Sequence, residues 1–181
     1  MDNWKIIKSS ILITDQWLKL RADQCQLSNG QMIDPYYVID EPDNVHIFAV
    51  NEQSQVLTVT QYRHGVGRTC LELPGGALNH GETPLAAAQR ELREETSYIA
   101  NKWTTIGRMF TNPARQTSTI HVFLAEEISS AGSQNLDVSE DIQFNFLPIA
   151  DVGKKIQEGQ FSQALHIASY YRCLHYLRMK E

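Results

Sequence analysis

The stretch LPGGALNHGETPLAAAQRELREETSY, residues 73–98, decides how the chain is read. It opens on a turn-forming run, Leu73-Pro74-Gly75-Gly76, and turns again at Gly81-Glu82. A helix is predicted to begin directly afterwards. Thr83 can cap the free amides of its first turn, and Pro84 stands where a missing N–H costs nothing. Leu85, Ala88 and Leu92 recur at i, i+3 and i+7, marking the face expected to meet a sheet. On the same helix Glu91 and Glu95 lie one turn apart, with Glu94 at i+3 from Glu91. Like charges at that spacing destabilise a helix by about 0.2–0.5 kcal/mol per pair. Their hard oxygens are what Mg2+ prefers, with waters and substrate phosphates completing its shell. Taken alone, the run also fits a solvated face on which Arg90 pairs with Glu94 at i+4.

Outward from this stretch the chain reads as strands on both sides. Residues 17–23 alternate apolar and polar, which suits a half-buried strand. Asn29-Gly30 supplies a hairpin turn into a second run through Tyr36-Tyr37-Val38-Ile39. The segment Asp40-Glu41-Pro42-Asp43-Asn44 is the natural linker. Buried-type strands are predicted over 45–50 and 55–62, with a short one over 71–73. Further strands are expected over 103–110, 117–125 and 142–147. A closing helix over 161–179 should carry Ile167, Tyr171, Leu174 and Leu177 on one stripe. Strands, a helix, more strands and a helix describe a mixed α/β sandwich, not a doubly wound parallel sheet.

Composition narrows the function classes. The chain has 181 residues, 42 % hydrophobic and 20 % charged, enough for a core without disulfides or a structural metal. Sixteen basic and 21 acidic residues give a net charge of −5. That lacks the basic face that a nucleic-acid polymer demands, and it should repel polyanions unless something local reverses the field. Cys25, Cys70 and Cys173 are odd in number and far apart, so a reducing, cytoplasmic setting is expected. No apolar run is long enough to span a membrane, and Lys5, Lys8 and Asp15 interrupt the N-terminal apolar runs before signal-peptide length. The six histidines form no His-x-His or His-Glu-x-x-His pattern, and no catalytic histidine is expected.

From Gly76 onward the chain reads Gly, five residues, Glu82, seven residues, then Arg90-Glu91-Leu92-x-Glu94-Glu95. This resembles the signature of the Nudix hydrolases, Gly-x5-Glu-x7-Arg-Glu-U-x-Glu-Glu-x-Gly-U, with U aliphatic. Ser97 stands where the family has glycine, and Tyr98 where it has an aliphatic residue. The glycine is expected to end the helix in the left-handed conformation, which serine reaches at a cost of about 1 kcal/mol. Neither departure removes a ligand.

The resemblance implies a Nudix-type α/β/α sandwich with a mixed sheet over residues 44–181. Residues 1–43 would form an N-terminal antiparallel β segment that makes a homodimer, with strands swapped between subunits. It implies water attack on a nucleoside diphosphate linked to another group, with Mg2+, or Mn2+ in its place, neutralising the diphosphate. Carried over to this chain, the metal ligands are Glu91, Glu94, Glu95 and the Gly75 carbonyl, with Glu94 and Glu95 counted in the catalytic set. Glu82 and Arg90 would pair and fix the loop against the helix. The general base would lie on a later loop, where Asp137-Val138-Ser139-Glu140-Asp141 fits; Glu140 is the first choice and Asp141 the second.

Pro113, fifteen residues past the signature, sits where relatives acting on ADP-ribose and nucleoside diphosphate sugars carry a proline. Arg63 and Arg115 are the candidates for holding phosphate or terminal ribose, since guanidinium forks suit phosphate. Glu72 is a candidate beside them, and Trp17, with Tyr36 and Tyr37, could stack a base. The expected substrate is therefore ADP-ribose or a related nucleoside diphosphate sugar. GDP-mannose, a dinucleoside polyphosphate, a nucleoside triphosphate and a non-cleaving sensor of nucleotide sugars are the alternatives.

Overall fold

A computed structural model of the chain describes residues 3–136 and 140–180. By its internal contacts the chain divides into two units: Met1–Asp43 with Phe110–Thr119, and Asn44–Met109 with Ile120–Glu181. In the first unit, strands β1 (Lys5–Thr14), β2 (Lys19–Gln26) and β3 (Met32–Asp40) form an antiparallel sheet in that order. The β2–β3 connection turns at Asn29-Gly30, where Gly30 has φ 85° and donates its N–H to the Leu27 carbonyl. Asp23 is buried and held by Ser9 and Arg21. Every residue of β1 is exposed, including Ile6, Ile7, Ile11, Leu12 and Ile13.

The second unit is built around β4 (Asn44–Ala49). It runs parallel to β8 (Thr119–Ser130), and β7 (Tyr98–Phe110) continues that sheet. A second sheet pairs β5 (Gln55–Arg63) antiparallel with both β6 (Arg68–Glu72) and β9 (Ile142–Pro148). The helices are α1 (Pro84–Thr96), α2 (Ile149–Gln157) and α3 (Ala164–Arg178). Strand alternation sends neighbouring β4 side chains to opposite faces. Val45, Ile47 and Ala49 join Ala87, Ala88 and Leu92 of α1 in one core. Phe48 joins Val152 of α2 and Tyr170 and Cys173 of α3 in the other. A strand buried on both faces between helices is the middle layer of an α/β/α sandwich with a mixed sheet, as the sequence predicts.

Several local expectations are corrected. Trp17 is not in a strand: the Asp15 carboxylate accepts from the N–H groups of Trp17 and Leu18, and this turn leaves Trp17 80 % exposed ahead of β2. On α1, Leu85 is exposed, and the buried stripe is Ala87, Ala88, Glu91, Leu92, Glu95 and Thr96. The carboxylates share the buried face, so apolar spacing alone misplaces it. The closing helix starts at Ala164, not 161; Phe161 is a core residue ahead of it, and the side chain of Gln163 caps it. Its buried stripe is His166, Ser169, Tyr170 and Cys173, while Tyr171 is exposed. Two polar residues on that stripe shift the apolar pattern. Helix α2 has no counterpart in the sequence reading; it is short and contains Gly153.

Helix α1 begins and ends as its sequence dictates. Thr83 Oγ1 accepts from the Ala86 N–H at 3.3 Å, and Pro84 occupies the first turn. At the other end Ser97 adopts φ 59°, ψ 18°, and its N–H reaches the Arg93 carbonyl. Tyr98 then opens β7, its ring edge-on to Phe144 and Phe146. Ser97→Gly should relieve the left-handed strain and raise stability by about 1 kcal/mol with turnover unchanged. A urea midpoint at or below that of the wild type would refute this.

Candidate active site

The loop before α1 is drawn against β4. The Val45 N–H donates to the Gly76 carbonyl and the Ile47 N–H to the Pro74 carbonyl, both at 2.9 Å. A Cβ on Gly75 would sit 2.0 Å from the Val45 carbonyl oxygen, so no other residue fits there. Gly76 is required for a different reason: its Cβ would lie 2.5–2.8 Å from the Glu91 carboxylate. The two glycines thus let the loop approach a strand on one side and a carboxylate on the other.

The Gly75 N–H donates to Glu95 Oε2 at 2.9 Å. Glu95 is otherwise buried, and burial pushes its carboxyl well above the usual range. The charges of Glu91 and Glu140 push the same way, while the Gly75 N–H and Arg63 act against them. Glu91 is also raised, first by burial and then by Glu94 and Glu140, against the hydrogen bond from Arg90. Arg90 gathers the outer groups. Its guanidinium meets both Glu82 oxygens at 2.9 and 3.0 Å, Glu91 Oε1 at 2.7 Å, Glu94 Oε2 at 3.1 Å and the Ala77 carbonyl at 2.9 Å. The Glu82–Arg90 pair therefore ties the loop to the helix, as the resemblance implies.

Among the described residues, no three His, Cys, Asp or Glu side chains converge closely enough, as they stand, to hold a metal ion. The donor set nevertheless suits a divalent cation. Of the two buried carboxylates, Glu95 feels the charge of Glu91, both feel Glu140, and one arginine is shared among Glu82, Glu91 and Glu94. Clustered buried carboxylates whose charge is only partly offset are an environment in which a hard cation is stabilising.

The segment after β8 is pinned to the end of α1. Helix carbonyls left without intrahelical partners are taken up here. The Ala131 N–H donates to the Ser97 carbonyl and the Asn135 N–H to the Glu94 carbonyl. Gln134 Nε2 donates to the carbonyls of Glu95 and Ile142. Glu140 follows in this segment; Asp137, Val138 and Ser139 of the expected acidic loop lie outside the described residues. No sequence pattern marks Gln134, whose role comes from the fold alone.

Arg63 and Glu72, proposed separately from sequence, form one unit. Arg63 Nη2 lies 2.6 Å from Glu72 Oε2, and Glu72 is buried. Arg63 also acts electrostatically on Glu95. A cavity of about 500 Å³ opens beside the pair, lined by Arg63, Arg68, Cys70, Glu72, Ser162 and Gln163 among others. Arg115 and Trp17 belong to the first unit. There the Arg115 guanidinium lies 5.4 Å from the centre of the Tyr36 ring, whose hydroxyl donates to the Ala114 carbonyl.

The NUDIX domain family matches residues 40–167. The chain belongs to the Nudix hydrolases. Residues 4–39 match the nucleoside diphosphate sugar hydrolase N-terminal domain. An ADP-ribose pyrophosphatase of Bacillus subtilis (strain 168) is 31 % identical over 98 % of this chain and 94 % of its own. Another, from Mycobacterium tuberculosis, is 30 % identical over 92 % and 81 %. The crystal structure of an ADP compounds hydrolase superposes with a TM-score of 0.88 at 18 % identity, covering 99 % of this chain and 97 % of that one, and so shares the fold. As a Nudix hydrolase, the protein falls in a family that generally uses divalent metal ions.

The two glycines give opposite expectations. Gly76→Ala should displace the movable Glu91 carboxylate, leaving thermal stability near wild type while weakening Mn2+ affinity about tenfold. Gly75→Ala, which drives a Cβ into fixed backbone, should cost stability by about 1–3 kcal/mol. Thermal unfolding with a parallel Mn2+ titration checks both; Mn2+ binding unchanged in Gly76→Ala would contradict the placement of Glu91.

Proposed function

We propose that this Nudix hydrolase cleaves the diphosphate linkage of ADP-ribose or a related nucleoside diphosphate sugar, with Mg2+ as its metal and Mn2+ able to replace it. ADP-ribose would yield AMP and ribose 5-phosphate. The observation that carries this reading is a full carboxylate set, Glu91, Glu94 and Glu95, in a chain similar along nearly its whole length to ADP-ribose pyrophosphatases.

Glu91, Glu94, Glu95 and the Gly75 carbonyl are the residues that would hold the cation. When bound, it supplies neutralisation of the diphosphate and acidification of the attacking water. The chain's own contribution begins with Glu140, whose charge already acts on Glu91 and Glu95. Its carboxylate is assigned the proton of that water, as the water oxygen bonds to phosphorus and the bridging P–O bond breaks. Arg63, anchored by Glu72, presents its exposed edge to phosphate or the terminal ribose. Arg115 and Trp17 are assigned to phosphate and base respectively. The three cysteines are free and buried, in keeping with a reducing, cytoplasmic setting. No helix among the described residues is long and apolar enough to cross a membrane.

The decisive test incubates the protein with Mg2+ and a panel of ADP-ribose, GDP-mannose, diadenosine polyphosphates and nucleoside triphosphates, with products identified by mass. ADP-ribose should be among the best substrates. Glu95→Gln should lower turnover by at least about a hundredfold, and Glu140→Gln should lower kcat with metal affinity retained. A folded protein that turns over none of the panel would point to a sensor.

We further propose that the first unit, residues 1–43 with the segment 110–119, pairs two copies of the chain with exchange of strands. Strand β1 is a sheet edge that exposes five aliphatic side chains, a surface seldom left in water. Sedimentation should give about 41 kDa, twice the 20.6 kDa chain. Ile6→Lys with Ile11→Lys should return the mass to that of one chain; a wild-type monomer would overturn the assignment.

A further inference from the structure

Two histidines that the chemistry above does not use are stacked under the loop that carries it. His46 of β4 and His166 of α3 lie with ring centroids 3.8 Å apart and planes 16° from parallel. Both are buried. His46 Nδ1 faces Ser169 Oγ at 2.9 Å, and a hydrogen bond to the Leu165 backbone also holds the ring. Burial takes His166 down to about 3, so its ring is neutral at working pH.

The tautomer of His166 follows from one contact. The Leu73 N–H donates to His166 Nδ1 at 3.1 Å, so the hydrogen of the neutral ring resides on Nε2. That nitrogen lies 3.7 Å from Glu72 Oε2, the oxygen bound by Arg63 Nη2. One ring therefore faces two consecutive residues, accepting from the backbone of Leu73 and turning its N–H toward the carboxylate of Glu72. Two residues beyond Leu73 stands Gly75, whose N–H holds Glu95. The backbone of His166 is itself fixed, since its N–H donates to Gln163 Oε1 at 2.9 Å.

We propose that His166 is a positioning residue for the reaction, acting in two directions through its two ring nitrogens. This rests on the pyrophosphatase reading. Through Nε2 it sets the Glu72–Arg63 pair that meets the substrate. Through Nδ1 it sets the loop that presents Gly75 to Glu95 and the metal. His46 acts as the plate against which the ring is held flat. A helix outside the family signature thereby controls both halves of the site.

The two nitrogens can be removed separately. Asn places a polar atom near Nδ1 but has nothing at Nε2; Gln reaches Nε2 but leaves Nδ1 empty. His166→Asn should raise KM for ADP-ribose about tenfold with kcat within about twofold of wild type. His166→Gln should do the converse, lowering kcat and Mn2+ affinity about tenfold with KM nearly unchanged. Cys173→Ala, a truncation on the same helix in the core that Leu73 also joins, leaves both ring nitrogens of His166 in place and serves as the control for simple destabilisation. A purely structural histidine would give variants that lose melting temperature but match the control in kcat, KM and Mn2+ affinity, and this result would overturn the proposal. If the wild type turns over no diphosphate compound, the pyrophosphatase reading fails by itself. Mn2+ titration then still decides the Leu73–Gly75–Glu95 arm, and His166→Gln binding Mn2+ as tightly as wild type would overturn it.

Discussion

The second unit depends on one contact, the backbone N–H of Gly75 donated to the buried carboxylate of Glu95. Ionised carboxylate out of water costs several kcal/mol unless its oxygens are bonded and its charge met. The loop backbone does the first, and it can approach so closely because residues 75 and 76 have no side chains. The loop in turn reaches that position by continuing the hydrogen bonding of β4. Glu95 can be buried at all because α1 turns its carboxylates inward, along the same stripe that seats Ala87, Ala88 and Leu92 on the sheet. Chemistry and core thus share one helix face.

The cost of that sharing is met by the two-sided burial of β4. Its odd-numbered residues pack on α1 and Phe48 on the α2–α3 side, so neither helix layer can shift without disturbing the other. A strand fixed from both sides is a firm base for a loop that must hold two glutamates slightly apart against their mutual repulsion. On the proposed reading, the remaining like charge is what a divalent cation would answer, turning the mildly acidic character of the chain into local affinity for diphosphate.

Much of this was legible in the sequence, for identifiable reasons. Thr83, Pro84 and the spacing of Glu82, Arg90, Glu91, Glu94 and Glu95 are local signals, and the helix and its carboxylates follow from them. Ser97 in the left-handed region was legible too, since the pattern places a glycine there. What escaped was non-local or ran against hydropathy. Leu85 looks like a core residue but stands in the first turn, exposed, while Glu91 and Glu95 look solvated and are buried. His166 and Ser169 displaced the apparent stripe of the last helix for the same reason. Hydrophobic alternation extends the strand to Trp17 because a side-chain turn at Asp15 leaves no mark on it. Gln134 reaches Glu95 across 39 positions, and the Arg63–Glu72 pairing depends on the register of β5 against β6, which hydrophobic patterning leaves open.

The pinning of the segment after β8 onto α1 carries a consequence of its own. Helix ends are where native proteins open most easily, and such openings occur in cooperative pieces. Here the carbonyls of Glu94 and Glu95 and of the cap residue Ser97 are the anchoring points for Asn135, Gln134 and Ala131, so fraying of the helix end and release of the segment are coupled. Glu95 lies on the helix side of that seam, and the charge of Glu140 acts on it. On the proposed assignment of Glu140 as the base, a single local unzipping would loosen Glu95 and the segment that leads toward Glu140 together, so the two carboxylates would be lost as a set.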